Sequence, residues 1–246
     1  MSEETTMDPQ ATDAQLGSGA MFDAIAGRYD RVNRIVSLGL DQGWRRRTVA
    51  ALGVPQGGRV LDLATGTADL AIAIAEAHPT ADVVGSDPSR NMLAIGRTKV
   101  TARELDPRVV LEEADAVSLP YPDETFDGVS MAFGIRNVPD RPRALREALR
   151  VLRPGGRLAI LELSEPRRGA LAHLARFHVH TVVPTVGAWL SGAREYRYLE
   201  KSIAAFPPAE EFVQTIAEAG FEDANAEGLT FGVVHLYTAR RPAERR

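Results

Sequence analysis

Apolar positions are spaced in two different ways along this chain, and the change from one to the other divides it. Residues 1–20 carry Ser, Glu, Thr, Asp, Gln and Gly with almost nothing to bury, and read as a disordered tail. Phe22, Ile25, Ala26 and Tyr29 then follow the i, i+3, i+4, i+7 spacing of a helix. A second helical stretch over 41–52 holds Trp44, Val49 and Leu52 and stops at Gly53 and Pro55. Residues 21–55 thus form a helical cap. From Arg59 the spacing changes: short β-rich runs at 59–64, 81–87, 109–114, 126–133 and 156–163 alternate with helical segments at 69–78, 90–104 and 140–152. These runs are apolar throughout rather than at every second residue, the mark of strands covered on both faces, so the alternation predicts a parallel sheet between two layers of helices. A mostly apolar stretch to about Leu190, a polar segment, a helix at 208–219 and two strands joined by a short turn (221–229 and 230–240) complete the chain.

Composition narrows the classes. With 246 residues, 44% hydrophobic and 25% charged, the chain is long enough to bury a core without staples. The absence of cysteine rules out disulfides, thiolate metal sites and a cysteine nucleophile. A formal net charge of −4 gives no overall attraction to nucleic acid. No run approaches the roughly 18 apolar residues of a membrane span, and the polar N-terminus lacks the apolar stretch of a secretory signal, so a cytoplasmic protein is expected. His173 and His180 share a helix face but lie about 10 Å apart along its axis, and His178 points elsewhere; no metal site is expected.

Candidate chemistry begins where the first strand ends in Asp62 and runs into Ala64-Thr65-Gly66-Thr67-Ala68. Glycine there lets the backbone approach a ligand, and the following helix start offers N–H donors. The second strand closes on Asp87, 21 residues after Gly66, where an acidic side chain can accept from ribose hydroxyls; the alternative role for Asp87 is a helix N-cap before Pro88-Ser89. Dinucleotide and S-adenosylmethionine sites share this opening. The remaining order is Asp115-Ala116 after the third strand, LPYPDETFD (119–127) before the fourth, and RVLRPGGRLAILE (150–162), a helix broken by Pro-Gly-Gly before the fifth. Over about 60–240 this resembles class I S-adenosylmethionine-dependent methyltransferases. The resemblance implies a Rossmann-like α/β fold, with a mostly parallel seven-stranded sheet, an antiparallel last strand and the N-terminal helical cap. It gives a single domain over 21–240, in which 59–165 is the cofactor-binding half, 166–205 a substrate lid with an apolar helix, and 206–240 the C-terminal helix and strands.

Further segments narrow the resemblance. FDAIAGRYDRVNRIVSLGLDQGW (22–44), AFGIRNVPD (132–140), VVPTVG (182–187), YRYLEKSI (196–203) and FPPAEEF (206–212) are similar to the ubiquinone/menaquinone-biosynthesis C-methyltransferases from Met21 to Tyr237. What this implies is methyl transfer from S-adenosylmethionine, leaving S-adenosylhomocysteine, to a ring carbon of a polyprenylated quinol such as demethylmenaquinol. The alternatives are the benzoquinol of ubiquinone synthesis, another small phenol, or a non-catalytic nucleotide binder. The cofactor-binding candidates are Asp62, Gly66, Thr67, Asp87, Asp115 and Ala116. Arg136, Asn137 and Tyr29 are the catalytic candidates, with Arg136 stabilising a phenolate that titrates near ~10 when free. Against these roles, Arg136 can simply pair with a carboxylate such as Asp140, and Tyr29 can be core. Expected partners are the quinol and, transiently, the inner membrane surface, with no nucleic acid. Residues 170–190 can form a prenyl groove or else a core or homodimer helix. Arg45-Arg46-Arg47 reads as a solvated face, with lipid headgroup contact as the sharper alternative. The chain departs from the family at Val32, Gly43, Ala68, Ala132 and 193–195. Ala68 stands for a usual glycine and is harmless there if its φ is negative.

Overall fold

The computed structural model describes residues 34, 37, 39–165 and 193–243. Tyr29, the 170–190 stretch and Val32 lie outside the described residues. Seven strands run in chain order as β1 (Arg59–Leu63), β2 (Asp82–Asp87), β3 (Val109–Glu113), β4 (Phe126–Ala132), β5 (Leu152–Leu163), β6 (Glu222–Leu229) and β7 (Val234–Arg240). The described helices are α1 (Asp41–Leu52), α2 (Asp69–Ala77), α3 (Arg90–Thr101), α4 (Arg141–Val151), α5 (Ala193–Ala204) and α6 (Ala209–Glu218). All strands form one sheet in the order β3-β2-β1-β4-β5-β7-β6. Neighbours from β3 to β5 pair in parallel, and β7 lies antiparallel between β5 and β6. The strand order reverses at β1, so the crevice at the carboxyl ends of β1 and β4 is where an open α/β sheet takes its ligand.

The uninterrupted apolar runs have the expected cause, since Val60, Leu61, Val129, Leu158, Ala159, Ile160 and Leu161 are all buried. One layer gathers Phe126, Met131, Leu145, Phe212 and Tyr237, and the other Trp44, Leu52, Leu70, Ile74 and Leu111.

Several boundaries differ from the sequence expectation. Strand β5 starts at Leu152, because Leu152 already pairs with Phe126 of β4; the Pro-Gly-Gly run bulges between that pair and the pair of Gly128 with Arg157 instead of separating helix from strand. Helix α3 ends at Thr101 rather than 104, where Glu104 takes a positive φ. The polar segment after 190 contains a twelve-residue helix, α5. The N-cap of α3 is Ser89, whose side chain accepts from Met92 N (3.2 Å), and not Asp87. Among the described residues, no helix is long and apolar enough to cross a membrane.

Candidate active site

Strand β1 ends at the sharp turn that builds the site. Ala64, Gly66 and Ala68 take φ of 49°, 55° and 67°, three left-handed residues at alternate positions. Only Gly66 adopts this without steric strain, because a Cβ pushes the following carbonyl in that region. The condition under which Ala68 would be harmless, a negative φ, is therefore not met. Its methyl is fully buried, and burial worth about 0.8 kcal/mol offsets much of a left-handed penalty of about 1 kcal/mol. Ala68→Gly should accordingly change stability by less than about 0.5 kcal/mol, as chemical denaturation can measure.

Hydrogen bonds hold the turn from below and from the side. The Asp62 carboxylate, 1% exposed, accepts from Thr65 Oγ1 and from Ser130 Oγ, both at 2.7 Å. Thr65 N donates to Ser86 O (3.0 Å), and Gly66 N donates to Asp87 Oδ2 (2.9 Å). The other Asp87 oxygen accepts from Ser89 N at 2.8 Å, so this carboxylate clamps the glycine turn to the start of α3. Thr67 accepts from Lys99 Nζ (3.1 Å), and Lys99 also contacts Asp69. Asp115 is exposed after β3, its Oδ1 accepting from Val117 N (3.1 Å), whereas Ala116 is buried. The cofactor candidates thus line one edge from β1 through β2 to β3. Sequence reasoning missed Thr65 and Ser130, which fix Asp62 from two different strands.

Burial pushes the Asp62 carboxyl up to about 6, although its two hydroxyl partners oppose the shift. A raised folded-state value means the stability Asp62 contributes is fully present below about pH 4 and is lost as pH rises through about 6. Asp62→Asn should therefore gain on the wild type by about 2–3 kcal/mol between about pH 4 and about pH 7.5 in urea unfolding. An equal difference at both pH values contradicts this reading.

Past the end of β4, Phe133 takes φ 59° and leads into a 3-10 turn, Ile135–Asn137. Arg136 is not paired with Asp140, which instead caps α4 by accepting from Arg143 N (2.9 Å). Its partner is Glu162 on β5: Arg136 Nη1 donates to Glu162 Oε1 (2.7 Å) and to Phe133 O (2.6 Å), and Arg136 N donates to Glu162 Oε2 (3.1 Å). The two side chains are 7% and 0% exposed. Asn137 Oδ1 accepts from Tyr198 Oη (2.9 Å), which ties α5 to the turn. Burial raises the Tyr198 hydroxyl above its ordinary value despite Arg136 and Arg141 nearby, so it stays protonated and donates. Asn137 Nδ2 donates to Phe133 O (3.5 Å), which leaves its second N–H as a donor.

The cap helix brings one residue inward that was expected outside. Arg46 and Arg47 are exposed, with Arg47 paired to Glu227, but the Arg45 side chain is only 12% exposed. The signal was in the sequence: Asp41, Trp44, Thr48, Val49 and Leu52 form the buried stripe, and position 45 falls within it.

A sheet of this order, with a glycine turn and an acidic strand end at its reversal, is the class I S-adenosylmethionine-dependent methyltransferase fold. Solved neighbours agree at the level of fold. The [4+2]-cyclase SpnF superposes with TM-score 0.68 over 92% of this chain and 95% of its own at 22% identity. An S-adenosylmethionine-dependent methyltransferase from Aquifex aeolicus gives 0.59 over 80% and 89% at 18%. That one of them is a cyclase shows how little the fold alone says about the reaction. Sequence decides the family: the chain belongs to the ubiE/COQ5 methyltransferase family, whose model matches residues 10–241. It is 47% identical to a demethylmenaquinone methyltransferase of Thermus thermophilus, over 90% of this chain and all of that one. It is 45% identical to a ubiquinone/menaquinone biosynthesis C-methyltransferase of Geobacter sulfurreducens, over 90% and 87%.

Proposed function

We propose that this protein transfers a methyl group from S-adenosylmethionine to a ring carbon of a polyprenylated quinol, with demethylmenaquinol as the acceptor. One observation carries the reading: a backbone cradle at Gly66 opens on the same sheet edge as a buried, fixed arginine at 136. A Cβ on Gly66 would meet no atom within 4 Å, so there is space against its backbone for a ligand. Asp87 stands beside that space with both oxygens in position at the end of β2, the place for a ribose, and the turn at Asp115-Ala116 follows for the adenine. These residues fit the cofactor, which when bound supplies an electrophilic sulfonium methyl.

The remaining work falls to the chain. A quinol hydroxyl ionises near ~10 in water, and its anion makes the neighbouring carbon nucleophilic. Arg136 and Arg141 supply positive charge at the turn, and the Asn137 amide supplies an oriented donor, both favouring the anion. Arginine keeps its proton, so Arg136 stabilises and does not act as the base. Beside the turn, an open cavity of about 560 Å³ is lined by Pro139, Arg141, Phe206, Pro207, Pro208 and Phe212 among others, its wall part polar and part apolar.

Incubation with methyl-labelled S-adenosylmethionine and either reduced demethylmenaquinone or the corresponding benzoquinol tests the reading. Label is expected in the naphthoquinol. Preferential labelling of the benzoquinol would reassign the substrate, and labelling of neither would reject the function.

A further inference from the structure

The Arg45 guanidinium is an anomaly in the cap helix. A guanidinium has five N–H donors, and buried ones are almost always hydrogen-bonded. Yet Arg45 Nε is buried and has no hydrogen-bond partner. Its two carboxylate neighbours stand at 3.8 Å, Asp41 from Nε and Asp69 from Nη2, close enough for attraction but beyond hydrogen-bond length. Asp69 is instead engaged by Lys99 Nζ. Arg45 also lies over the Phe133 ring, 5.7 Å from its centroid, while Trp44 meets the same ring edge-on at 6.2 Å and anchors its indole N–H on Thr230 Oγ1 (2.9 Å). The cation is therefore held in place between the residue after the glycine turn and the residue after β4, with donors still to satisfy.

Its position says what they are for. The sheet runs β3-β2-β1-β4, with the adenine turn on β3, the ribose carboxylate Asp87 on β2 and the Gly66 cradle on β1. A nucleoside laid in that direction sends its remaining arm on toward β4, where Arg45 waits between Asp69 and Phe133. The charge of Arg45 also reaches the Asp62 carboxyl beneath the cradle. We infer that Arg45 grips the α-carboxylate at the amino-acid end of S-adenosylmethionine, an inference that rests on the cofactor assignment above. A planar guanidinium suits a carboxylate because two parallel N–H donors match its two oxygens. Arg45 thus sets the length and the charge of the ligand the cradle accepts, and selects for an amino-acid nucleoside over a plain one.

The test compares S-adenosylmethionine with its decarboxylated analogue, which keeps the adenosine and sulfonium and lacks only the carboxylate, by titration calorimetry on the full chain. Arg45→Met is expected to weaken S-adenosylmethionine about 10- to 100-fold and to leave the analogue within about twofold, so that wild-type discrimination between the two disappears. Arg45→Lys, which keeps the charge but not the fork, is expected to recover part of the difference and guards against a folding defect in the first variant. Equal weakening of both ligands, or of neither, would overturn the assignment of Arg45. A wild type that bound neither ligand would overturn the cofactor reading itself.

Discussion

Arg136→Ala is expected to lower kcat at least about 100-fold, with little change in cofactor affinity. The structure adds a second consequence, because Glu162 is completely buried and its guanidinium partner is removed. A buried carboxylate left without its partner costs about 3–5 kcal/mol, so the variant should also melt earlier. The two effects separate in a cycle. Arg136→Met combined with Glu162→Gln replaces the whole ion pair by neutral groups of similar size, and buried pairs exchanged in this way often keep their stability. Stability should then return to within about 1–2 kcal/mol of wild type while kcat stays depressed. Recovery of kcat together with stability would show that Arg136 serves only to neutralise Glu162.

Asp87→Ala is expected to weaken S-adenosylmethionine by about 1.5–3 kcal/mol, the range for hydrogen bonds to a charged group. Two contributions act in the same direction. The ribose loses its acceptor, and the Gly66 and Ser89 amides lose the carboxylate that joins the glycine turn to α3. Asp87→Asn separates them, since its one remaining oxygen can still accept from an amide while the charge is gone. Calorimetry should place it between wild type and Asp87→Ala. Unchanged affinity in folded Asp87→Ala would remove Asp87 from the site.

The fold was legible because its signals are local. Apolar runs of five or six residues, glycine after the first strand and an acidic end on the second need nothing beyond their neighbours in sequence to be recognised. What escaped depends on partners far away in the chain. Arg136 meets a carboxylate 26 residues on, across a strand pair, and no spacing rule selects Glu162 over Asp140. Trp44 is fixed by Thr230, 186 residues away, and that contact helps hold the face on which Arg45 points inward. Left-handed alanines are equally hidden: nothing in the side chain announces a φ that it disfavours, and the conformation of Ala64 and Ala68 is imposed by the turn around them. Helix α5 was obscured by its charged residues, whereas Ile203, near its end, is buried. The catalytic candidates Arg136 and Asn137 were legible from the chemistry that the resemblance implies and from their place at the carboxyl end of the fourth strand. Their surroundings, Glu162 behind one and Tyr198 on the other, came from the structure.

The most direct measurement is the position of the transferred methyl. Turnover of carbon-labelled S-adenosylmethionine with a reduced demethylmenaquinone, followed by nuclear magnetic resonance of the isolated product, reports the atom to which the label is bound. A single labelled methyl is expected on the ring carbon next to a hydroxyl, formed by wild type and depressed at least about 100-fold in the Arg136→Met, Glu162→Gln double variant. Label on a quinol oxygen, or a double variant as active as wild type, would contradict that expectation.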